Sequence, residues 1–276
     1  MPSDKRQRQD EGRLLRLEAE RVAASRSQRF RQFRTVGLLV GAVVLVALAV
    51  SLLSNDNGGT ADGTTTTTVA DGSPVSIPFP APGATITGET PCPAADGSAE
   101  RTTTFEQAPP VCIDAAKTYT ALLKTSEGDI TIALDANVSP ISVNNFVVLA
   151  RYHYYDGVAF HRIVPGFVNQ AGDAVGPMPG EGGPGYSIPD EMPLGPLEAY
   201  VPGSVAMART QDPNSAGSQF FLVIDDSNGA LSGAGTYAVF GQITAGQDVS
   251  AAINELAVGE APTKLVTIDS VEITET

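Results

Sequence analysis

Apolar residues fall into three regimes along this chain. One unbroken apolar run occupies 35–53, TVGLLVGAVVLVALAVSLL. A polar stretch rich in Thr, Gly and Pro follows to about position 110. From about position 118, short β-rich runs alternate with turns. TYTALLKT and DITIALD read as two strands joined around SEGD, a hairpin pattern. Ser139-Pro140 then opens a helix, with Ser as N-cap and Pro at the first helical position. That helix is expected to reach about Arg151, with Ile141, Phe146 and Val147 on its core face. Further strand-like runs are GVAFHRIV, SVAMAR, SQFFLVI, YAVFGQI and KLVTIDSVEIT, and GQDVSAAINEL supplies a second helix before the last. Many strands, many turns and two helices predict a mainly β fold, a closed antiparallel barrel capped by helices.

The apolar run carries no charge over 19 residues, nearly enough to span a hydrocarbon core at helical rise. Arg29, Arg31 and Arg34 sit immediately before it, so the N-terminus is expected in the cytoplasm and the body outside the cell membrane. Ala47 and Ala49 make a small-x-small pattern, which leaves a cleaved signal peptide as the alternative. The 34 residues before the run are long for a signal peptide and favour a retained single-pass signal anchor. Within that leader, positions 11–34 read as a charged helix, a solvated basic flank able to meet anionic headgroups.

Charge divides along the same boundaries. The first 34 residues hold 10 of the 17 Lys/Arg and 5 of the 31 Asp/Glu, giving +5. The remainder holds 7 and 26, giving −19. Such a body repels nucleic acid, so no nucleic-acid partner is expected. After the anchor come a Thr run at 64–68 and Pro at 74, 78, 80, 82, 91, 93, 109 and 110. That composition predicts a segment that cannot order itself: a tether over 54–90, with a mean reach on the order of 30–35 Å, inside a linker extending to 117. Cys92 and Cys112 are the only cysteines; outside the membrane they are expected to pair, a closure of about 3 kcal/mol in the loop-entropy view. Two Cys and two His leave no basis for a metal centre, and no cofactor is expected.

Two segments of the body resemble a known family. AFHRIVPGFVNQAGD (159–173) and MARTQDPNSAGSQFFLV (207–223) are similar to the two signatures of the cyclophilins, the cyclosporin-binding class of peptidyl-prolyl isomerases, in a form nearest to bacterial members. The resemblance covers 118–276. It implies an eight-stranded antiparallel barrel with two helices, and rotation of X–Pro peptide bonds as the activity. The chemistry explains the residue types. Rotation must break amide resonance against a barrier of about 18–20 kcal/mol. In the twisted state the imide nitrogen gains basicity, and a guanidinium can donate a hydrogen bond to the proline unit. No nucleophile, metal or general base is required.

By resemblance, Arg162 supplies that donor. Phe167, Val168, Phe221 and Leu231 form the apolar seat for the proline ring, with Tyr237 where members often carry His. Gln170 and Gln219 bond the substrate backbone and support Arg162, and Ala208 and Arg209 line the groove for residues before the proline. Alternation along a strand sends Phe220 to the face opposite Phe221. Many eukaryotic members have Trp just before the pocket Leu; here that position is Ala230, and the chain has no Trp. His161 is expected to be structural, its ring hydrogen-bonded inside the barrel. Ser218, His161 and Asp173 have the residue types of a hydrolase triad, but no G-x-S-x-G elbow accompanies them.

The expected organisation is therefore a basic cytoplasmic leader (1–34), a transmembrane anchor (35–53), a linker with a disulfide loop (54–117) and an isomerase domain (118–276). The expected partners are proline-containing polypeptides and the membrane, with the protein acting as a monomer. A proline-peptide-binding module or holdase without catalysis is the alternative; it would not require Arg162.

Overall fold

A computed structural model describes residues 73–191, 200–234 and 236–276. The expected leader, the anchor at 35–53 and the start of the tether lie outside the described residues. Among the described residues, no helix is long and apolar enough to cross a membrane.

The hairpin forms as its pattern predicts. In β3 (Tyr119–Thr125), Tyr119, Ala121, Leu123 and Thr125 are buried and the residues between them half-buried. β4 (Gly128–Leu134) buries Ile130, Ile132 and Leu134. The strands pair antiparallel across a two-residue turn, Thr125 opposite Gly128. The other strands of this sheet are β5 (Val158–Ala159), β6 (Arg162–Val164), β7 (Val168–Ala171), β8 (Ser204–Met207), β9 (Phe220–Val223), β10 (Val239–Ala245) and β13 (Thr267–Glu275). Their order is β5-β13-β3-β4-β10-β8-β9-β7-β6, and every neighbouring pair is antiparallel.

This differs from the expected closed eight-stranded barrel. The run GVAFHRIV breaks at Phe160-His161 into two strands that bond different partners, β5 to β13 and β6 to β7. The result is a curled nine-stranded sheet whose first and last strands are two residues apart in sequence, with no ladder between them among the described residues.

Among the described residues, three helices accompany the sheet rather than two. α1 (Pro140–Arg151) starts where expected. However, Ser139 does not cap it through its side chain; its Oγ donates instead to the Val239 carbonyl at 2.7 Å. The Glu191 carboxylate takes over that task, accepting from the Ile141 and Ser142 amides at 2.8 and 2.7 Å. An acidic group at a helix start satisfies free N–H groups and suits the dipole. Ile141 is 39% exposed and so leaves the expected core face, whereas Phe146 and Val147 are fully buried. Phe146 stacks on Tyr155 at 5.0 Å and meets Phe220 edge-on at 5.4 Å, which pins α1 into the sheet's concave core. α2 is a five-residue turn of helix, Ala230–Ala234, that the sequence reading missed. α3 (Gln247–Asn254) follows Gly246, whose φ of 80° and nearness to the Asp129 carbonyl leave no room for a side chain. A small hairpin, β11 (Ala257–Val258) and β12 (Ala261–Pro262), precedes β13.

The expected linker also differs from its prediction. β1 (Ala84–Ile86) pairs in parallel with β2 (Thr102–Phe105). Phe105 is 1% exposed and lies edge-on to Tyr152 and Tyr186 at 5.4 and 6.1 Å. Backbone bonds join Thr102 N–H to the Tyr152 carbonyl (2.9 Å), Phe105 N–H to that of Pro184 (2.7 Å) and Val75 N–H to that of Pro262 (2.9 Å). Cys92 and Cys112 form a disulfide. Asn144 of α1 accepts from the Cys112 amide at 2.7 Å and donates to the Pro110 carbonyl at 2.9 Å. The composition argument missed this order because the segment builds no core of its own: it uses aromatic and polar seats that the body provides.

Candidate active site

β6 and β7 present the first half of the site. Their register sets Arg162 opposite Gln170. β7 pairs with β9, so Gln170 also stands opposite Phe221. Alternation along β9 divides its two phenylalanines: Phe220 joins the main core, whereas Phe221 joins a second apolar cluster with Val168, Ala206, Leu231, Val223 and Tyr200. Phe167, Ala208 and Tyr237 pack against that second cluster.

The cluster floors a cavity of about 310 Å³. Its lining is Arg162, Phe167, Val168, Gln170, Ala208, Arg209, Phe221, Ala230, Leu231 and Tyr237. Nine of these ten are the residues the resemblance assigned to catalysis or substrate; the tenth, Ala230, is the position that lacks the Trp. Gln219 is the assigned residue that does not reach this cavity. It borders an adjoining hollow of about 440 Å³, which shares Gln170, Ala208 and Arg209 with the first.

Gln219 nevertheless shapes the site. Its Nε2 donates to the carbonyls of Gly180 and Gly182, both at 2.9 Å, which fixes the orientation of its amide. Its Oε1 therefore faces Gln170 and accepts from Gln170 Nε2 at 2.9 Å. That contact in turn orients Gln170 Oε1 toward Arg162, which donates from Nη1 at 3.3 Å. On its other side Arg162 donates from Nε to Glu260 Oε2 at 2.7 Å. The guanidinium beside Glu260 holds that carboxyl below the usual carboxylate range.

Arg209 lines the groove with its own contacts fixed. Its guanidinium is 3.2 Å from Asp190 and donates to the Asp212 and Thr236 carbonyls at 2.7 and 3.4 Å. It lines the groove as a clamp, with its charge already committed. The His161 ring has the Gln219 side chain as its polar neighbour, although neither ring nitrogen meets it at ordinary hydrogen-bond geometry. Burial, reinforced by the Arg162 charge, lowers its pKa to about 4, so the ring is neutral near pH 7. Ser218 is fully buried, donates to the Gly172 carbonyl at 2.7 Å and lies 2.9 Å from the Tyr154 hydroxyl. It forms no triad.

Most supports of the site that the sequence reading missed lie far away in the chain. Asn254 at the end of α3 donates to the Val164 carbonyl at 3.0 Å and to Asn169 Oδ1 at 2.7 Å, and accepts from the Gly166 amide at 2.6 Å. It thereby fixes the turn that carries Phe167. Asp226 accepts from the Leu231 and Ser232 amides at 2.8 and 2.9 Å, which holds α2 and its Leu231 against the cavity. The Tyr200 hydroxyl donates to the Tyr237 carbonyl at 2.8 Å, and the Tyr237 ring meets Phe221 edge-on at 5.3 Å. Only the Asp-before-helix pattern at Asp226 could have been read in advance.

Comparison with known proteins agrees with this arrangement. Residues 120–273 match the family model described as cyclophilin type peptidyl-prolyl cis-trans isomerase/CLD. A probable peptidyl-prolyl cis-trans isomerase of Brucella suis is 41% identical over 139 residues, which cover 47% of this chain and 68% of that protein. A peptidyl-prolyl cis-trans isomerase of Helicobacter pylori is 39% identical over 137 residues, covering 50% and 80%. Among solved structures, a Cryptosporidium parvum cyclophilin type isomerase superposes with a TM-score of 0.51 at 26% identity, covering 57% of this chain and 98% of that one. The same parasite protein, crystallised in the presence of the dipeptide Ala-Pro, gives 0.50 at 27% identity. A seat of Phe167, Val168, Phe221 and Leu231 under a fixed arginine, on a curled β sheet matched over 154 residues of family pattern (120 to 273), makes this chain a member of the cyclophilin-type peptidyl-prolyl cis-trans isomerases.

Proposed function

We propose that the protein is a membrane-anchored isomerase that turns X–Pro bonds in polypeptides folding outside the cytoplasmic membrane. One observation carries the catalytic reading: the Arg162 guanidinium, oriented by the Gln219–Gln170 relay, stands beside the apolar seat of Phe167, Val168, Phe221 and Leu231. In this reading the proline ring rests against Phe167, Val168, Phe221, Leu231 and Tyr237. Ala208 and the clamped Arg209 bound the path of the preceding residues. Arg162 and Gln170 then do the selective work. In the planar ground state the imide lone pair is delocalised and accepts poorly; as the bond twists, the pair localises on nitrogen. A donor already aimed at that atom stabilises the twisted state more than either planar isomer, and this lowers the barrier. No bond is made or broken, so the site needs only shape and one directed dipole.

Two features support the location. A basic flank precedes the apolar run at 35–53, and a disulfide closes a loop within the extension, as suits an oxidising compartment.

The test is turnover of the Arg162→Ala variant of the full chain in a coupled X–Pro isomerisation assay. Turnover should fall roughly tenfold or more, while circular dichroism and melting temperature stay close to wild type. Near-normal turnover in a folded variant would remove Arg162 from this role and leave the peptide-binding alternative.

A further inference from the structure

The β11–β12 hairpin reaches the site from the far end of the chain. Its two-residue turn is Gly259-Glu260; Gly259 has φ 64°, a conformation suited to glycine. The Glu260 carbonyl accepts from the Ile163 amide at 3.2 Å, so the tip is registered to the residue after Arg162. From that anchor the Glu260 side chain takes the Nε–H of Arg162 at 2.7 Å. The side chains of the pair are 38% and 62% exposed, so the contact adds little to global stability. Its geometry is consequential all the same. Gln170 alone holds one terminal nitrogen of the guanidinium and leaves it free to swing about the Cδ–Nε bond. A second acceptor on Nε removes that freedom. Nη2 then has no partner among the described residues and remains available at the cavity.

We propose that Glu260 is a positioning residue for the isomerisation: by accepting the Nε–H it fixes the guanidinium plane so that the unbonded N–H groups face the twisted imide. The proposal rests on the catalytic role of Arg162 given above. The bond acts through the acceptor rather than through net charge, because a carboxylate on the far side partly offsets the positive charge the site exploits. Glutamine at this position, which keeps an acceptor oxygen, should therefore serve nearly as well.

The experiment measures kcat and KM for an X–Pro peptide in the full chain carrying Glu260→Ala, Glu260→Gln or Arg162→Ala, with melting temperatures and the Arg162 Nε–H resonance in 15N–1H spectra. The expected result is a fall of about threefold to tenfold in kcat for Glu260→Ala, with KM and melting temperature nearly unchanged. Glu260→Gln should restore most of the turnover, and the Nε–H resonance should shift and broaden only in the alanine variant. Unchanged kcat in Glu260→Ala would overturn the proposal, as would a loss in Glu260→Gln equal to that in Glu260→Ala. If Arg162→Ala itself keeps its turnover, the catalytic reading fails; if only the Glu260 variants are silent, the positioning role alone falls.

Discussion

At the scale of single residues, chain neighbours at the start of β6 meet different electrostatic surroundings. Arg162 faces two acceptors, whereas the ring of His161, one residue earlier, is largely shielded from water, and that burial disfavours its protonated form. Its pKa of about 4 lies below the 6.5 of an unfolded histidine. Between those values the unfolded chain binds a proton that the folded chain refuses. Stability must therefore rise with pH across that window, level off above it, and be lost as pH falls toward 4. Denaturant titrations from pH 4.5 to 7 should show a shallower slope of stability against pH in His161→Gln than in wild type; identical slopes would show that the ring is protonated as readily in the folded state. Resemblance located both residues but could not reveal this contrast. The ring packs against Gly180, whose missing side chain makes room for it, with the Gln219 amide as its polar neighbour.

At the scale of elements, the site depends on helix ends and hairpin tips more than on the strands that display its side chains. Asn254 closes α3 and at the same time satisfies groups from three positions of the β6–β7 turn. Asn254→Ala would take the donor from the buried Asn169 Oδ1 and the acceptor from the Gly166 amide, a cost of roughly 1–3 kcal/mol. The expected readout is a lower denaturation midpoint together with a raised KM, because the loosened turn carries Phe167. A variant with wild-type stability would show that water replaces the amide fully. Legibility follows the same division. The pocket side chains came from resemblance to the family, whereas most strands of the body and the start of α1 were readable because each is written locally, as alternation or as Ser-Pro. Asn254, Tyr200 and Glu260 were not, since their partners lie 37 to 98 residues away and no local pattern marks them. The break at Phe160-His161 was hidden for a related reason: an apolar β-rich run looks the same whether it bonds one neighbour or changes partners midway.

At the scale of the whole molecule, the segment that composition marked as a tether is part of the folded unit from Val75 onward, fastened at Pro262, Tyr152 and Pro184 and stapled by Cys92–Cys112. If the body lies outside the membrane, alkylation of freshly prepared membranes should label neither cysteine until reductant is added. Protease applied to spheroplasts should release a fragment that keeps isomerase activity. Free thiols at both positions, or protection of the domain until lysis, would reverse that placement. A last consequence follows from the curl of the sheet. An enzyme that handles unfolded chains is surrounded by extended segments seeking hydrogen-bond partners, and an open sheet rim is where such segments add themselves as extra strands. Here the two rims are only two and three residues long, and the chain turns directly from one into the other. A client can be held by its proline ring but finds almost no backbone ladder to extend. Rims this short leave an extended segment almost nothing to pair with, so the sheet offers little template for strand addition.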